Sequence, residues 1–207
     1  STKNNFVIET DKIKPENPYA ESKINTEKFL TTNHKDFKFI ILRYFNVAGA
    51  DPYLRSGQIS KKSTHLIKIL SEVIVGKKDS IEIFGNDYNT KDGTAIRDYI
   101  HIEDLSKAHI KAYEYIKDSK NNYEFFNVGT GIGYSVIEVI NTFEEISGKK
   151  LNYIFAKRRK GDIEKIYADI KKVNKKMKWK AKFDLKKMLE SAWSWELKRN
   201  SNKKTLK

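Results

Sequence analysis

The 207-residue sequence has no cysteine, which excludes disulfides and thiolate metal sites and fits a reducing, cytoplasmic setting. No stretch approaches the roughly 20 consecutive apolar residues that a membrane span requires. No apolar run follows the charge of the opening Ser1 to Asn5, so a signal peptide is not expected. A chain that starts without Met and runs at once into ordered-looking sequence is expected to be a fragment. Arginine is also scarce, with only six (43, 55, 97, 158, 159 and 199) among 41 basic residues. The net charge of +14 raises nucleic-acid binding as a reading. However, the excess is lysine spread along the whole chain, and the one dense cluster, Lys198 to Lys207, reads as a frayed terminus. Nucleic-acid surfaces favour arginine concentrated on one face, so a nucleic-acid partner is not expected. In a chain that uses lysine by default, each arginine marks a place where a flat, bidentate donor is useful. Arg97, Arg158 and Arg159 are therefore candidate phosphate or carboxylate contacts, although chance survival explains any single one equally well.

What is present is enough for a core, with 39% hydrophobic and 12% aromatic residues. Asn17-Pro18 is suited to open a helix over about Tyr19 to Thr32. The apolar run Phe39 to Phe45 reads as a buried parallel strand, followed by a loop from Asn46 to Gly57. A helix from Leu66 to Val75 ends at Gly76. Ile81 to Phe84 is a short strand, and Gly85 to Thr94 is a polar loop long enough to be functional or disordered. Arg97 to Ile102 alternates like a strand, and Asp104 is placed to cap a helix reaching about Lys117. A strand at Tyr123 to Val128 follows, then a helix capped by Ser135 and stopped at Gly148, and a strand at Leu151 to Phe155. Basic helices near Ile170 to Lys178 and Leu185 to Leu197 complete the chain. Strands alternating with helices indicate an α/β class, but too few long apolar strands are present for a complete doubly wound sheet.

Two motifs carry chemistry. Tyr19 and Lys23 stand one helical turn apart, where an ammonium favours the phenolate and makes the phenol a usable general base. Four Tyr-x-x-x-Lys spacings occur in the sequence (at 19, 113, 153 and 167), so it is the position after Asn-Pro at a helix start that singles out the first. Gly129-Thr130-Gly131-Ile132-Gly133 follows a strand and opens a helix. Its third glycine comes one residue early for a dinucleotide fingerprint, and no acidic residue ends the next strand. It reads as a tight turn. The four histidines (34, 65, 101 and 109) have no zinc spacing. His101 and His109 read as satisfied core residues, and His65 stays open.

Several stretches in chain order resemble the UDP-galactose 4-epimerase branch of the extended short-chain dehydrogenase/reductase family: Asn17-Pro18-Tyr19-Ala20-Glu21-Ser22-Lys23, Leu42 to Ala50, Ile83 to Tyr88 with Asp92-Gly93-Thr94, Arg97 to His101, Asn127 to Gly131, and Arg158 to Asp162. The resemblance covers about residues 6 to 197. It implies the C-terminal part of a Rossmann-type fold with a small α/β substrate domain. Residues 1–60 would be a remnant of the NAD-binding domain, 61–200 mainly the UDP-sugar domain with some segments returning to the Rossmann sheet, and 201–207 a disordered basic tail. By resemblance, Tyr19 is the catalytic base, Lys23 tunes it and holds the nicotinamide ribose, and Phe45 lines the nicotinamide pocket. Asn46, His65, Leu66, Glu82, Ile83, Phe84, Arg97, Arg159 and Asp162 would hold the UDP-sugar, with Ile166 at the position that limits pocket width. The implied activity is interconversion of UDP-galactose and UDP-glucose with NAD as cofactor, in a homodimer that uses the Tyr19 to Thr32 helix. An epimerase or dehydratase for related nucleotide sugars and a non-catalytic UDP-sugar-binding module are the alternatives. The family's catalytic Ser/Thr lies roughly two dozen residues before its Tyr. Ser1 and Thr2 are too close to Tyr19 to match it, and the family's glycine-rich loop is not among the 207 residues. The fragment is therefore expected to be inactive alone, and the strand at Phe39 to Phe45 to lack sheet neighbours.

Overall fold

The strand at Ile96–His101 (β5) sends alternate side chains to opposite faces and so divides the interior in two. Tyr99 packs into one apolar cluster and Ile100 into the other. A computed structural model describes residues 6–15, 17–35, 37–60 and 63–205, without the side chains of 202–205. Around β5 lie β9 (Lys165–Ala168) and β3 (Asn46–Ala48), both parallel to it, and β7 (Gly133–Ser135), antiparallel to it; β1 (Phe6–Val7) extends this sheet beyond β9. Two further parallel pairs complete the strands, β2 (Phe39–Tyr44) with β6 (Tyr123–Val128) and β4 (Ile81–Phe84) with β8 (Tyr153–Ala156). Parallel pairs with helical crossovers are the α/β arrangement expected from the alternation of elements.

The helices are α1 (Pro18–Thr32), α2 (Leu66–Ile74), α3 (Ile102–Asp118), α4 (Val136–Ser147), α5 (Lys171–Met177) and α6 (Leu185–Thr205). Asn17 caps α1 by accepting from the Ala20 amide at 2.9 Å. Ser135 and Glu138 form a reciprocal capping box on α4, and Gly148 ends that helix in the left-handed region. The first cluster joins α2, α4 and α6 to β4 through Leu70, Ile83, Ile140, Phe143 and Leu189. The second joins α3 and α5 to β6 through Leu105, Ala108, Phe126 and Val173.

Several expectations shift. The segment after Phe45 is not all loop, because Asn46–Ala48 pairs with β5. The cap of α3 is His101, whose ring accepts from the Glu103 amide at 3.1 Å. Asp104 instead lies inside the helix, where one carboxylate oxygen accepts from the amides of Lys182 and Phe183, each at 2.9 Å. His101 is a satisfied core residue, 3.0 Å from Ser191 Oγ, but His109 is exposed. The last helix does not stop near Leu197 but continues to Thr205, so most of the stretch expected to be a disordered tail is helical; residues 206–207 lie outside the described residues. Ser1 and Thr2 also lie outside them. β2 pairs with β6 along one edge only among the described residues, and α1 buries none of its 15 residues.

Candidate functional site

A cavity of about 360 Å³ opens between α2, β3, β4, the start of β5, the loop after β8, and α6. That volume is on the scale of small-molecule sites, roughly 300–1,000 Å³. Its lining includes Asn46, His65, Leu66, Glu82, Ile83, Phe84, Arg97, Arg159 and Asp162. These nine belong to five separate stretches of chain, and the fold brings them to one place. Tyr19, Lys23, Phe45 and Ile166 are not among the lining residues.

Each wall has a local cause. His65 is the extended residue before α2, and its side chain makes no cap, so the ring faces Gln58, with Nδ1 3.3 Å from Nε2. Asn46 sits opposite Tyr99 in the β3–β5 register. Burial pushes the Tyr99 phenol up to about 12, against the pull of Arg97 and of the hydrogen bond to Asn46, so the hydroxyl stays protonated. Glu82 is exposed while Ile81 and Ile83 are buried, as strand alternation requires.

The polar loop between β4 and β5 is held by its own side chains just before Arg97. Asp92 accepts from the Thr94 amide at 2.9 Å and from the Thr94 hydroxyl at 2.7 Å, and also from the Ser135 hydroxyl at the start of α4. These donors outweigh burial and hold the Asp92 carboxyl below its ordinary range. Gly93 has φ +76°, and a Cβ there would lie 2.2 Å from the Asn86 carbonyl oxygen, so the turn demands glycine. Arg97 then reaches Asp162 at 3.5 Å and the Ile96 carbonyl at 2.8 Å. Arg159 lies over the Phe84 ring, 3.7 Å from its centroid, with no ion-pair partner among the described residues. Two guanidiniums therefore line one cavity, and one of them is free of carboxylates.

Lys23 Nζ stands 5.1 Å from the centroid of the Tyr19 ring. Tyr19 is 71% exposed, so phenol and ammonium form an accessible pair at the start of α1. Phe45 and Ile166 are both partly buried, and Ile166 faces Arg97 in the β9–β5 register. The sequence reading missed Gln58, Trp195, Lys68 and Glu196, all in the lining. Trp195 donates to the Gln58 carbonyl at 3.2 Å. For Lys68 there was a signal: a lone cation in the apolar run Leu66-Ile67-Lys68-Ile69-Leu70 has to find a buried partner.

The turn Gly129 to Gly133 is filled by the protein itself. Asp98 accepts from the Thr130 amide and hydroxyl at 2.9 and 2.7 Å and from the Gly131 amide at 3.0 Å. A Cβ on Gly129 would lie 2.3 Å from Asp98 Oδ2. The Thr130 and Gly131 amides are committed to Asp98 and so are not free for a dinucleotide pyrophosphate. A bound NAD would find an accessible phenol–ammonium pair in Tyr19 and Lys23. Among the described residues no group of His, Cys, Asp and Glu could hold a metal, and no helix is long and apolar enough to cross a membrane.

Residues 2–129 match the family model described as NAD dependent epimerase/dehydratase family. The chain is 41% identical over 184 residues to UDP-glucose 4-epimerase of Bacillus subtilis, which covers 87% of this chain and 54% of that protein. Among solved structures it superposes on UDP-glucose 4-epimerase from Bifidobacterium longum in complex with NAD+ and UDP with TM-score 0.91 at 35% identity, covering 96% of this chain and 60% of that one. It also matches the UDP-Glc/GlcNAc 4-epimerase of Campylobacter jejuni at TM-score 0.73 and 42% identity, over 95% of this chain and 60% of that one. The chain spans about half the length of the curated relatives it matches.

Proposed function

Because the chain belongs to the NAD dependent epimerase/dehydratase family, we propose that it supplies the nucleotide-sugar site of a UDP-glucose 4-epimerase, which interconverts UDP-galactose and UDP-glucose. The observation that carries this reading is the convergence of Arg97, Arg159 and Asp162 on one cavity with Asn46, His65 and Phe84. Two planar donors match a diphosphate bidentately, and the apolar strand β4 suits a base.

When bound, NAD supplies the hydride chemistry at sugar C4, and the side chains do the rest. Tyr19 takes the proton of the 4-hydroxyl, and Lys23 places a positive charge beside the phenol. Arg97 and Arg159 hold the diphosphate at one end while the sugar stays free to turn about that link. Either face of C4 can then be presented in register, which is a positioning role. Ile166 pairs with Arg97 in the sheet but lies outside the cavity lining, so its role in setting the width available to the sugar is an indirect one, through Arg97. Product analysis with UDP-N-acetylglucosamine separates the glucose-specific enzyme from one that accepts acetylated sugars. Helix α1, with Phe29 67% exposed, is read as the face of a homodimer. The 207 residues contain no complete glycine-rich pyrophosphate loop, so they are expected to turn over no UDP-galactose alone.

Isothermal titration with UDP tests the core of this reading. The chain is expected to bind UDP, and Arg159→Ala to weaken that binding by about tenfold to a hundredfold, the scale of charge-assisted hydrogen bonds. Wild-type chain that shows no heat with UDP, or Arg159→Ala that binds like wild type, would sink it.

A further inference from the structure

Arg158 precedes the free guanidinium of Arg159 and points elsewhere. It is not in the cavity lining. Its Nε donates to Asp87 Oδ1 at 2.6 Å, a second nitrogen donates to the Asp87 carbonyl, and the guanidinium carbon lies 4.0 Å from the centroid of the Tyr88 ring. Tyr88 is only 4% exposed, so this contact rests on a fixed wall. The same two segments meet again where the Asn89 amide donates to Glu164 Oε2 at 2.9 Å and the Gly85 amide to the Ala156 carbonyl at 2.9 Å.

We propose that Arg158 is a positioning residue for the nucleotide site, a two-point latch that clasps the loop after β8 onto the loop after β4 and thereby aims Arg159 at the bound diphosphate. Arg158 is held against Asp87 and Tyr88, while Arg159, the next residue, lies over Phe84 and lines the cavity. Fixing the one side chain fixes the stretch of chain from which the other projects. Arg159 has no carboxylate of its own among the described residues. Its position rests on the Phe84 ring and on the chain that carries it, and the latch holds that chain. Lysine cannot replace Arg158, because a single ammonium does not reach carboxylate, carbonyl and ring face together.

The inference rests on the diphosphate reading of the cavity, and the test separates the two. UDP and uridine are titrated against the 207-residue chain, uridine by competition, in wild type, Arg158→Ala, Arg158→Lys, Arg159→Ala and the double alanine variant. Arg158→Ala is expected to weaken UDP about fivefold, the scale of an exposed ion pair with a cation–π contact, and to leave uridine unchanged. Arg158→Lys recovers less than half of that loss, and Arg158→Ala adds nothing when Arg159 is already alanine. A merely structural latch would weaken uridine and UDP equally, or would add its full effect in the Arg159→Ala background; either result overturns the proposal. Should Arg158→Ala fail to fold, Asp87→Ala, which removes only the carboxylate contact, is expected to show the same restriction to UDP. Wild-type chain that does not bind UDP overturns the diphosphate reading itself, and the latch with it. Tight UDP binding that is indifferent to Arg158 overturns the latch alone.

Discussion

Glu196→Ala is expected to lower the unfolding free energy of this chain by about 3–5 kcal/mol, the cost of breaking a buried charge cluster by removing one partner. Glu196 is 1% exposed and lies on α6. Its carboxylate accepts from Lys68 on α2 and from Lys77 just beyond it, and from Arg199 at 3.1 Å. Lys68 is itself 5% exposed, with a second carboxylate, Glu72, at 3.2 Å. Without Glu196, three cations face one another with only Glu72 nearby, and Lys77 and Arg199 can turn to water while Lys68 cannot. Replacing both members of the buried pair (Lys68→Met with Glu196→Leu) is expected to recover most of the loss, because apolar groups of similar size need no partner. Burial alone would raise the Glu196 carboxyl, but Lys68 and Lys77 outweigh it and hold it below the usual range. A depressed folded pKa gives stability that is fully present above the unfolded value of about 4.3 and is lost as pH falls through the folded value. The penalty of Glu196→Ala therefore shrinks in acid. Urea unfolding at pH 7 and below reads both effects. A loss under about 1 kcal/mol at pH 7, a surface-pair value, would show that the cluster is not the closed network its geometry describes.

That network marks the boundary of what the sequence could tell. Elements with a strong period or a chemical stop were legible: Asn17-Pro18 before α1, the Ser135 cap of α4, Gly148, and the apolar run of β2. The weaker signals failed where tertiary pairing decides. Asn46–Ala48 is too short to read as a strand and forms one only because β5 lies beside it. Asp104 was read as a cap because Asp is a preferred N-cap residue, yet it serves the amides of Lys182 and Phe183, some 80 positions away in the chain. The tail looked frayed for its lysines, but Lys198 donates to the Leu54 carbonyl at 2.8 Å and Arg199 to Glu196, and the helix runs on. At the site, nine lining residues were named through family resemblance, with composition pointing separately to Arg97 and Arg159. Trp195 and Glu196 were invisible because α6 reaches the cavity only after the whole chain has folded back. Arg158 was flagged for the right chemistry, a planar bidentate donor, but its partner is the protein's own Asp87.

Asp98→Ala is expected to cost a similar amount, about 3–5 kcal/mol, and to respond to pH in the opposite sense. The Asp98 carboxylate is fully buried and ties three strand ends together, accepting from the Thr130 amide and hydroxyl, the Gly131 amide and the Ala168 amide at 3.2 Å. Alanine leaves three backbone amides without an acceptor in the interior, each costing about 1–3 kcal/mol before local relaxation. It also frees the end of β9, whose Lys165–Ile166 stretch faces Ile96 and Arg97 in the sheet. Asp98→Asn keeps one oxygen for Thr130 but turns an amide donor toward the Gly131 and Ala168 amides, so it is expected to recover only part of the loss. Burial raises the Asp98 carboxyl above its ordinary value and outweighs the four donors. The folded state then holds a proton more tightly than the unfolded chain, and stability from this group declines as pH rises from about 3.9 through the folded value. Between pH 3 and 6 the Asp98→Ala penalty should therefore shrink while the Glu196→Ala penalty grows. The two carboxylates differ in their partners: three cations around Glu196, only neutral dipoles around Asp98. Parallel titration of the two penalties would mean that charge pairing is not what separates these sites.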